Sequence, residues 1–467
     1  MKTISIEFLP EQPSDESRAM YSKLIALIVL SALMLVPAWA QAQDFDLDTA
    51  IAYALKHNPD LNAAQQQLDA SSAQLRSSRA GYMPSVTIST SARVSDNPLD
   101  AFADKMNTRQ VTTQAFDPAT LNNPGASDLY FTRLALRWPV YTGGRVSALV
   151  DAAQATELNR RLQYQRDREY TAFATTRAYL SVLTAKKALD IAQDAVNAAQ
   201  QHANTTKRLA SQGRIVESDK LAAEVNLAAV RSAREQALTH YKNALDGFKQ
   251  TIGLGLDTKV DLIPATIKPL ETGTDVSEYV KQSLDKRKDL AAIRAEIQAA
   301  QSRVAAARSA RKPSINIVAS TNWYDDKLGL ANNSSSIMGV LSFDLYNGQR
   351  DGKIDAAMAQ QRETQWRYQS LEQTVQKQVR HAYNGLLESK ARLAIAENNV
   401  AVAKRAVKLV NQRYGEGRTI LLDLLQSEKL YTDARIEQLT AEMNLQLAEV
   451  ALPLAAGTST LPIEGAK

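Results

Sequence analysis

The chain contains an internal duplication, and this feature constrains its fold more than any other. Short stretches of the first half recur in the second half in the same order. The spacing is 229 residues near the start of each copy and 204 or 205 residues later, so the first copy carries a longer internal loop. A spacing that holds over such a length predicts two structural repeats of one architecture. Matched positions are Asp60 with Asp289, Pro84 with Pro313, Tyr141 with Tyr346, Tyr179 with Tyr383, Gly213 with Gly417, and Asp219 with Asp423.

The duplication divides the chain into five predicted segments. Residues 1–42 precede the first repeat, which occupies residues 43–252. Residues 253–275 contain three glycines and two prolines and are predicted to link the repeats. The second repeat occupies residues 276–456, and residues 457–467 form a tail. Each repeat is predicted to run in the order helix, strand, loop, strand, long helix, turn and helix.

The first segment reads as a secretory signal peptide. Lys23 precedes an apolar run at residues 24–36, and alanines at 38, 40 and 42 provide A-x-A cleavage sites after residue 40 or 42. The first nineteen residues are acidic where a signal peptide needs a positive start, so we predict Met20 as the true initiator. Beyond residue 43 no stretch approaches the roughly 20 apolar residues of a membrane helix. Such an exported protein is either soluble or a membrane β-barrel.

Composition excludes several classes of function. The chain has no cysteine, which excludes disulfides, thiolate metal sites and a cysteine nucleophile. Its four histidines are scattered without a metal-binding spacing. The formal charge of +5 is spread over interleaved acidic and basic residues, so nucleic-acid binding is not expected. No phosphate loop, glycine-rich cofactor loop or nucleophile–base set occurs, so we expect neither a cofactor nor enzymatic activity.

Four segments alternate between apolar and polar residues and predict strands at about 85–94, 130–140, 314–323 and 338–346. Arg133 and Arg137 oppose the apolar face of the second segment. Alternation of this length is typical of transmembrane β-strands, although an ordinary half-buried sheet shows the same pattern. The signal peptide and the polar opposite faces favour the membrane. The predicted apolar positions are Val86, Ile88, Thr90, Ala92, Val94, Leu134, Leu136, Trp138, Val140, Ile315, Ile317, Ala319, Thr321, Trp323, Leu341, Phe343 and Leu345.

Aromatic residues gather at both ends of the predicted strands. Such rings suit the interface between lipid headgroups and hydrocarbon. One predicted belt contains Tyr82, Trp138, Tyr141 and Tyr346, and the other contains Tyr130, Phe131, Trp323 and Tyr324.

Four strands cannot cross a bilayer alone, because their edges would expose unpaired amides to lipid at a cost of several kcal/mol each. Two chains would give an eight-stranded barrel, whose interior is filled by side chains. Three chains would give a twelve-stranded barrel with room for a pore. The sequence therefore predicts a mixed α and β membrane protein that contributes four strands to an oligomeric β-barrel. Three or more copies satisfy this geometry.

Long helices are predicted to continue the barrel. Residues 350–412 contain no proline and carry an apolar seam with heptad spacing that recurs 204 residues earlier. About 65 helical residues span roughly 100 Å, far more than a compact domain needs. Each long helix is predicted to end at a glycine turn, Gly213 or Gly417, with returning helices beginning near Ser218 and Thr419. The result is a coiled-coil helical barrel.

These features together resemble the TolC outer-membrane efflux family, and the resemblance covers nearly all of residues 44–456. It implies a homotrimer with a twelve-stranded barrel in the outer membrane of a Gram-negative bacterium and a helical barrel that crosses the periplasm. It also implies a passive duct for efflux or type I secretion, docked to a periplasmic adaptor and an inner-membrane transporter of the RND or ABC type. The segments that carry it are 80–84, 309–313, 139–145, 414–425 and the loop pieces 97–102, 117–118 and 121–122.

The resemblance also implies a gate at the helix tips. Asp423 falls on an acidic ring, and Tyr414 and Asp219 fall on a linking tyrosine and its partner acid. Gln426 stands where the family has a second ring acid, and Thr419 where it has a linking arginine, with Arg418 one place earlier. A ring of Asp423 would attract cations. The alternatives are a solvated acid that favours the helix dipole at Asp423 and a plain surface residue at Arg418.

The exposed turns provide candidate adaptor contacts, although simple turn chemistry also explains their glycines. These candidates are Gly213, Arg214, Gly417, Arg418 and Thr419. A soluble periplasmic coiled-coil adaptor or scaffold is the alternative function, and it would explain the helices but not the alternating strands. The cargo remains open among drugs, metals, oligosaccharides and secreted proteins.

Overall fold

A computed structural model describes residues 43–264, 267, 269–270, 275–459 and 461. The predicted signal peptide at residues 1–42, including Met20, and most of the predicted tail lie outside the described residues. The described chain is mostly helical, with one small and one larger sheet. Among the described residues, no helix is both long and apolar enough to cross a membrane.

The first repeat begins with a short strand and two consecutive helices, continues through two long strands, and ends in a helical hairpin. A loop with two short helices connects the long strands. The elements are β1 Gln43–Phe45, α1 Leu47–His57, α2 Pro59–Arg79, β2 Ser85–Ser95, α3 Pro98–Asn107, α4 Pro118–Asn122, β3 Ser127–Tyr141, α5 Arg145–Ser211 and α6 Glu217–Ile252.

The second repeat has the same order with a short loop between its strands. Its elements are β4 Val260–Leu262, α7 Val276–Lys286, α8 Lys288–Arg308, β5 Ser314–Asp325, β6 Asn332–Ser342, α9 Gly348–Gly415 and α10 Leu421–Ala456. Strand β4 lies within the segment predicted as an irregular linker and pairs in parallel with β1. The prediction missed this pairing because a three-residue strand has no measurable periodicity.

Strands β2, β3, β5 and β6 form one antiparallel sheet in that order. The register places Val86 beside Leu136 and Ala319 beside Ile337, so the predicted apolar positions share one face. That face is open: Ile88 is 69% exposed and Ile337 is 78% exposed.

The predicted position of the fourth strand, 338–346, is wrong. Strand β6 spans Asn332–Ser342, because it pairs with β5 from Tyr324 back to Ser314. Ser342 pairs with Ser314, the first residue of β5, so no partner remains for the residues that follow. The alternation of Phe343 and Leu345 continues beyond the strand and misled the prediction.

The long helices follow directly from the strands. Helix α5 has 67 residues and α9 has 68. The heptad seam on each helix is buried or half-buried at every predicted position, including Val182, Ala203 and Leu386. Each long helix packs along its returning partner, α5 on α6 and α9 on α10, and α5 also contacts α10.

Two glycines bring the end of each hairpin against the helix break at the start of its repeat. Gly253 and Gly457 adopt left-handed φ angles of 76° and 73° after α6 and α10. A Cβ atom at Gly253 would lie 2.3 Å from the carbonyl oxygen of His57, and one at Gly457 would lie 3.0 Å from the amide nitrogen of Arg287. Both positions therefore require glycine, and the duplication has preserved this joint.

Each joint is covered by its own hydrophobic core. In the first repeat Phe45, Tyr179 and Phe248 meet in edge-to-face contacts, with centroids of Tyr179 and Phe248 6.0 Å apart. The Tyr179 hydroxyl donates to the carbonyl oxygens of Phe45 and Ile263. Burial, together with the charge of Asp46, raises the pKa of Tyr179 to about 12, so the hydroxyl stays protonated. In the second repeat the core contains Tyr279, Val379, Leu386, Leu452 and Ala456.

Candidate functional site

The tips of the two helical hairpins have the same backbone geometry. After α5 the amide of Arg214 donates to the carbonyl of Leu209 at 2.9 Å, and after α9 the amide of Arg418 donates to Arg413 at 2.8 Å. Gly213 and Gly417 take left-handed φ angles of 68° and 70° within these turns. This is the Schellman arrangement, which satisfies the last helix carbonyls. The local sequence alone therefore accounts for both glycines.

The tips are open to solvent. Gly213, Arg214, Gly417 and Arg418 are exposed, whereas Thr419 is half-buried. A Cβ atom at either tip glycine would meet nothing within 4 Å. The tips thus offer unobstructed surface at the ends of both hairpins.

The returning helices start without side-chain caps. Helices α6 and α10 follow Val216 and Ile420, and neither of these residues forms a capping hydrogen bond. The predicted starts near Ser218 and Thr419 are each off by one or two residues. The hydroxyl of Thr419 instead donates to Oδ2 of Asp423 at 2.6 Å.

Asp423 and Gln426 lie one helical turn apart at the start of α10, and both are exposed. Asp423 stands in the first turn, where the partial positive charge of the helix terminus favours a carboxylate. Arg418 pairs with neither of these residues. It forms an exposed ion pair with Glu416 at 3.1 Å. In a single chain Arg418 is therefore not a partner of Asp423.

Tyr414 joins the two hairpins. Its ring packs against a small cluster of buried residues from α5, α6 and α10, among them Ala203, Ala223 and Leu421. Its hydroxyl is buried without a hydrogen-bond partner among the described residues. Burial, followed by the negative charge of Asp219, raises the pKa of Tyr414.

Two polar links between the hairpins were not predicted from the sequence. Nε2 of His202 on α5 lies 3.3 Å from Oε1 of Glu428 on α10, and both side chains are largely buried. Further from the tips, Arg435 on α10 donates to Asp194 on α5 at 2.9 Å. These partners are more than 220 residues apart in the chain, so no local pattern could reveal them.

An alanine-rich groove of about 790 Å³ lies between the hairpins beside these links. Small side chains on α5 and α6 face larger ones on α10, including Leu422, Leu425 and Gln426. Over residues 43–264, 267, 269–270, 275–459 and 461, no group of three or more acidic or histidine side chains could hold a metal ion.

The predicted aromatic belts lie at opposite ends of the sheet. At the end next to the long helices, Nε1 of Trp138 donates to the carbonyl of Tyr82 at 3.1 Å, and Tyr141 pairs with Ile315. Tyr346 lies beyond β6 and is 90% exposed.

At the other end, Tyr130 and Trp323 share the apolar face. Tyr324 and Phe131, the other two rings of this predicted belt, do not share that face. Strand alternation turns both rings to the polar face, where their centroids are 5.2 Å apart.

Comparisons with known proteins agree with this architecture. The family model described as "Outer membrane efflux protein" matches residues 50–254 and 279–458. Protein CyaE of Bordetella pertussis is 24% identical over 427 residues, which cover 90% of this chain and 86% of CyaE. The proteases secretion protein PrtF of Dickeya chrysanthemi is 23% identical over 448 residues, 92% of each chain.

Among solved structures, the Campylobacter jejuni CmeC outer membrane channel superposes with a TM-score of 0.76. The matched part is 17% identical and covers 88% of this chain and 85% of that one. The fold is therefore that of TolC-like channels, and the family resemblance predicted from the sequence is confirmed.

Proposed function

The chain belongs to the outer membrane efflux protein family, and from this premise we propose that three copies form one continuous duct. Membership makes the chain an outer-membrane channel for efflux or secretion that extends into the periplasm. Members of the family are transport channels, so the chain is not an enzyme. The alternative of a soluble adaptor or scaffold is not favoured.

The open sheet is the observation that carries the trimer proposal. Strands β2 and β6 are the two edges of the larger sheet, and its apolar face is exposed, with Leu341 at 69%. In lipid every backbone amide must be bonded within the protein, so β2 of one chain needs β6 of a neighbour. Three sheets joined in this way close a twelve-stranded barrel wide enough for a channel.

The helices give the duct its length. Helices of 67 and 68 residues span about 100 Å at about 1.5 Å per residue. We place the tips at the periplasmic end, where their exposed turns are free to contact a periplasmic adaptor. An inner-membrane transporter of the RND or ABC type would supply the energy, because a passive duct does not drive transport itself.

PrtF is named for the secretion of proteases, whereas the family is named for efflux. Both routes use a passive duct, and both remain part of the proposal.

Conductance in planar bilayers tests the duct. Purified protein without its first 42 residues should be a heat-stable trimer, as measured by light scattering, and should produce single-channel currents. A soluble monomer without current, absent from the outer-membrane fraction of the producing cells, would overturn the proposal.

We propose further that the gate lies at Asp423 of each chain. Asp423 is exposed in the first turn of α10 and anchored by Thr419, and a threefold arrangement would repeat its charge around the pore. Gln426, one turn further, adds no charge to this ring. Tyr414 of the second hairpin packs against Ala203 and Ala223 of the first, and the charge of Asp219 acts on its hydroxyl without a hydrogen bond between them. A contact that lacks this hydrogen bond is weak enough to break on opening.

The variant Asp423→Asn tests the gate. It should lower the cation preference of the channel and weaken block by multivalent cations, because the ring charge is lost. The matched control is Glu437→Gln, which removes an exposed carboxylate from the same helix about 21 Å away along its axis. Equal selectivity and equal block in Asp423→Asn and the unmodified channel would exclude Asp423 from the constriction.

A further inference from the structure

The polar face of the larger sheet carries positive charge without negative charge. In the register of β2, β3, β5 and β6, residues that point to this face are mainly serine and asparagine, with some apolar residues and the rings of Phe131 and Tyr324. Arg93, Arg133 and Arg137 are the charged residues among them, and no strand position on this face holds an acid. In the proposed barrel this face lines the pore.

The charge of Arg93 is neutralised within the chain. Its guanidinium forms ion pairs with Asp100 at 3.0 Å and with Asp104 at 2.5 Å, both on α3. Ser127 also donates to Asp104, whose side chain is only 5% exposed. Arg93 therefore anchors the connecting loop and contributes no free charge to the lining.

Arg133 and Arg137 have no such partners. Both are exposed, and no carboxylate of the described residues pairs with either guanidinium. Their neighbours across the sheet are uncharged: Ser89 and Asn322 lie beside Arg133, and Ser85 lies beside Arg137. The two side chains lie on one face of β3, about 13 Å apart along the strand.

We infer that the barrel section of the duct selects anionic cargo, and that Arg133 and Arg137 are its contact residues. This inference rests on the proposed trimeric duct, in which the two positions become six guanidinium groups around the pore. A guanidinium presents paired donors that match carboxylate and phosphate oxygens. Rings of arginine favour anions in pores, and low-dielectric walls strengthen their field.

The inference gives the duct opposite charges at its two ends. Asp423 lies at the tips, more than 60 helical residues beyond the barrel, whereas Arg133 and Arg137 lie within the sheet. An anion added from the outer side reaches the arginines before it reaches Asp423. This geometry allows the two charged regions to be tested separately.

The experiment uses tripolyphosphate added to the outer side of trimers in planar bilayers. Unmodified channels should be blocked, and the double variant Arg133→Gln with Arg137→Gln should need at least roughly tenfold more tripolyphosphate for half-block, since about six charges are lost. Its chloride-to-potassium permeability ratio should fall by roughly threefold or more. The double variant Arg133→Lys with Arg137→Lys keeps the charge and should retain most of both properties.

Each outcome has a distinct meaning. Block and permeability that are equal in the unmodified, glutamine and lysine channels would overturn the inference while leaving the duct intact. An absence of current from all three proteins, each a folded trimer by circular dichroism and light scattering, would overturn the proposed function and the inference with it.

Discussion

Tyr179 in the first repeat and Tyr383 in the second occupy matching positions but different surroundings. Tyr179 is fully buried, and its hydroxyl bonds to two carbonyls beside the β1–β4 sheet. Tyr383 is half-buried, packs against Tyr279 at 6.2 Å, and has no hydroxyl partner among the described residues. The small sheet crosses from one repeat to the other and covers only the first joint, so duplication of the backbone did not duplicate the core.

The helix breaks at the start of the repeats also have matching backbones with different side-chain contacts. In the first, Asn58 caps α2 and donates to the carbonyl of Thr251 at 2.8 Å. In the second, Arg287 donates to the carbonyl of Ala455 at 3.3 Å, the matching position 204 residues after Thr251. One backbone contact is thus made by a small amide in one repeat and by a buried guanidinium in the other.

Substitutions at these helix breaks should show the largest difference in stability between the repeats. Arg287 is 1% exposed and forms a paired contact with Asp289 at 3.0 and 2.5 Å. Removing it in Arg287→Ala breaks a buried ion pair, which should destabilise the protein by about 3–5 kcal/mol. Asn58→Ala loses a helix cap and should cost about 1 kcal/mol.

Circular dichroism of the detergent-solubilised proteins during chemical unfolding measures both changes. Equal shifts of the unfolding midpoint in the two variants would show that the buried guanidinium adds nothing beyond the cap.

The second largest difference in stability is expected between alanine substitutions at the two glycine joints. Alanine at Gly253 or Gly457 must adopt a left-handed backbone, at about 1–2 kcal/mol. At Gly253 the new Cβ would also press on the His57 carbonyl, adding about 1–3 kcal/mol of strain. Thermal unfolding should therefore place Gly253→Ala below Gly457→Ala in stability. The reverse order would mean that the first joint relaxes more easily than its contacts indicate.

The matching tyrosines provide a third test. Tyr179→Phe removes the hydroxyl that bonds to Phe45 and Ile263 and should cost about 1–3 kcal/mol, because one buried and one part-buried hydrogen bond are lost. Tyr383→Phe removes a hydroxyl without such partners and should stay within about 0.5 kcal/mol. The comparison uses the same unfolding midpoint, and a loss at Tyr383 as large as that at Tyr179 would refute it.

The smallest expected effect is the pH-dependent contribution of Asp289 to stability. Burial alone would raise the pKa of Asp289, but hydrogen bonds and charge from Arg287 hold that pKa below its usual value of 3.8. An acid with a lowered pKa in the folded state stabilises above the unfolded pKa and loses this contribution as pH falls through the folded pKa. Asp289→Asn removes this charge but keeps an oxygen acceptor for Arg287, which also donates to Gln378, so it should cost about 1–2 kcal/mol at neutral pH.

The cost of Asp289→Asn should vanish as the pH falls through the lowered pKa of Asp289, below 3.8. The matching residue Asp60 is exposed, and Asp60→Asn should change stability by less than about 0.5 kcal/mol at any pH. Unfolding curves at neutral and acid pH distinguish the two. A cost at Asp289 that does not change with pH would exclude its carboxylate charge as the cause.

The connection between the long strands differs most between the repeats. In the first it spans residues 96–126, contains α3 and α4, and is fixed by Arg93, whereas in the second it spans only residues 326–331. The change of spacing from 229 to about 205 already predicts this extra length. Its fold was not predictable, because Asp104 is held by Arg93 and Ser127 from two separate strands.

The sequence by itself determined the features that repeat locally. Strand alternation, the heptad seam and the glycine turns each depend on a few neighbouring residues, and the duplication shows as the same local patterns in the same order. Tertiary structure alone decided which distant segments meet: strand β1 with β4, His202 with Glu428, and Arg435 with Asp194. These pairs join distant parts of the chain, where no periodicity links them and only packing brings them together.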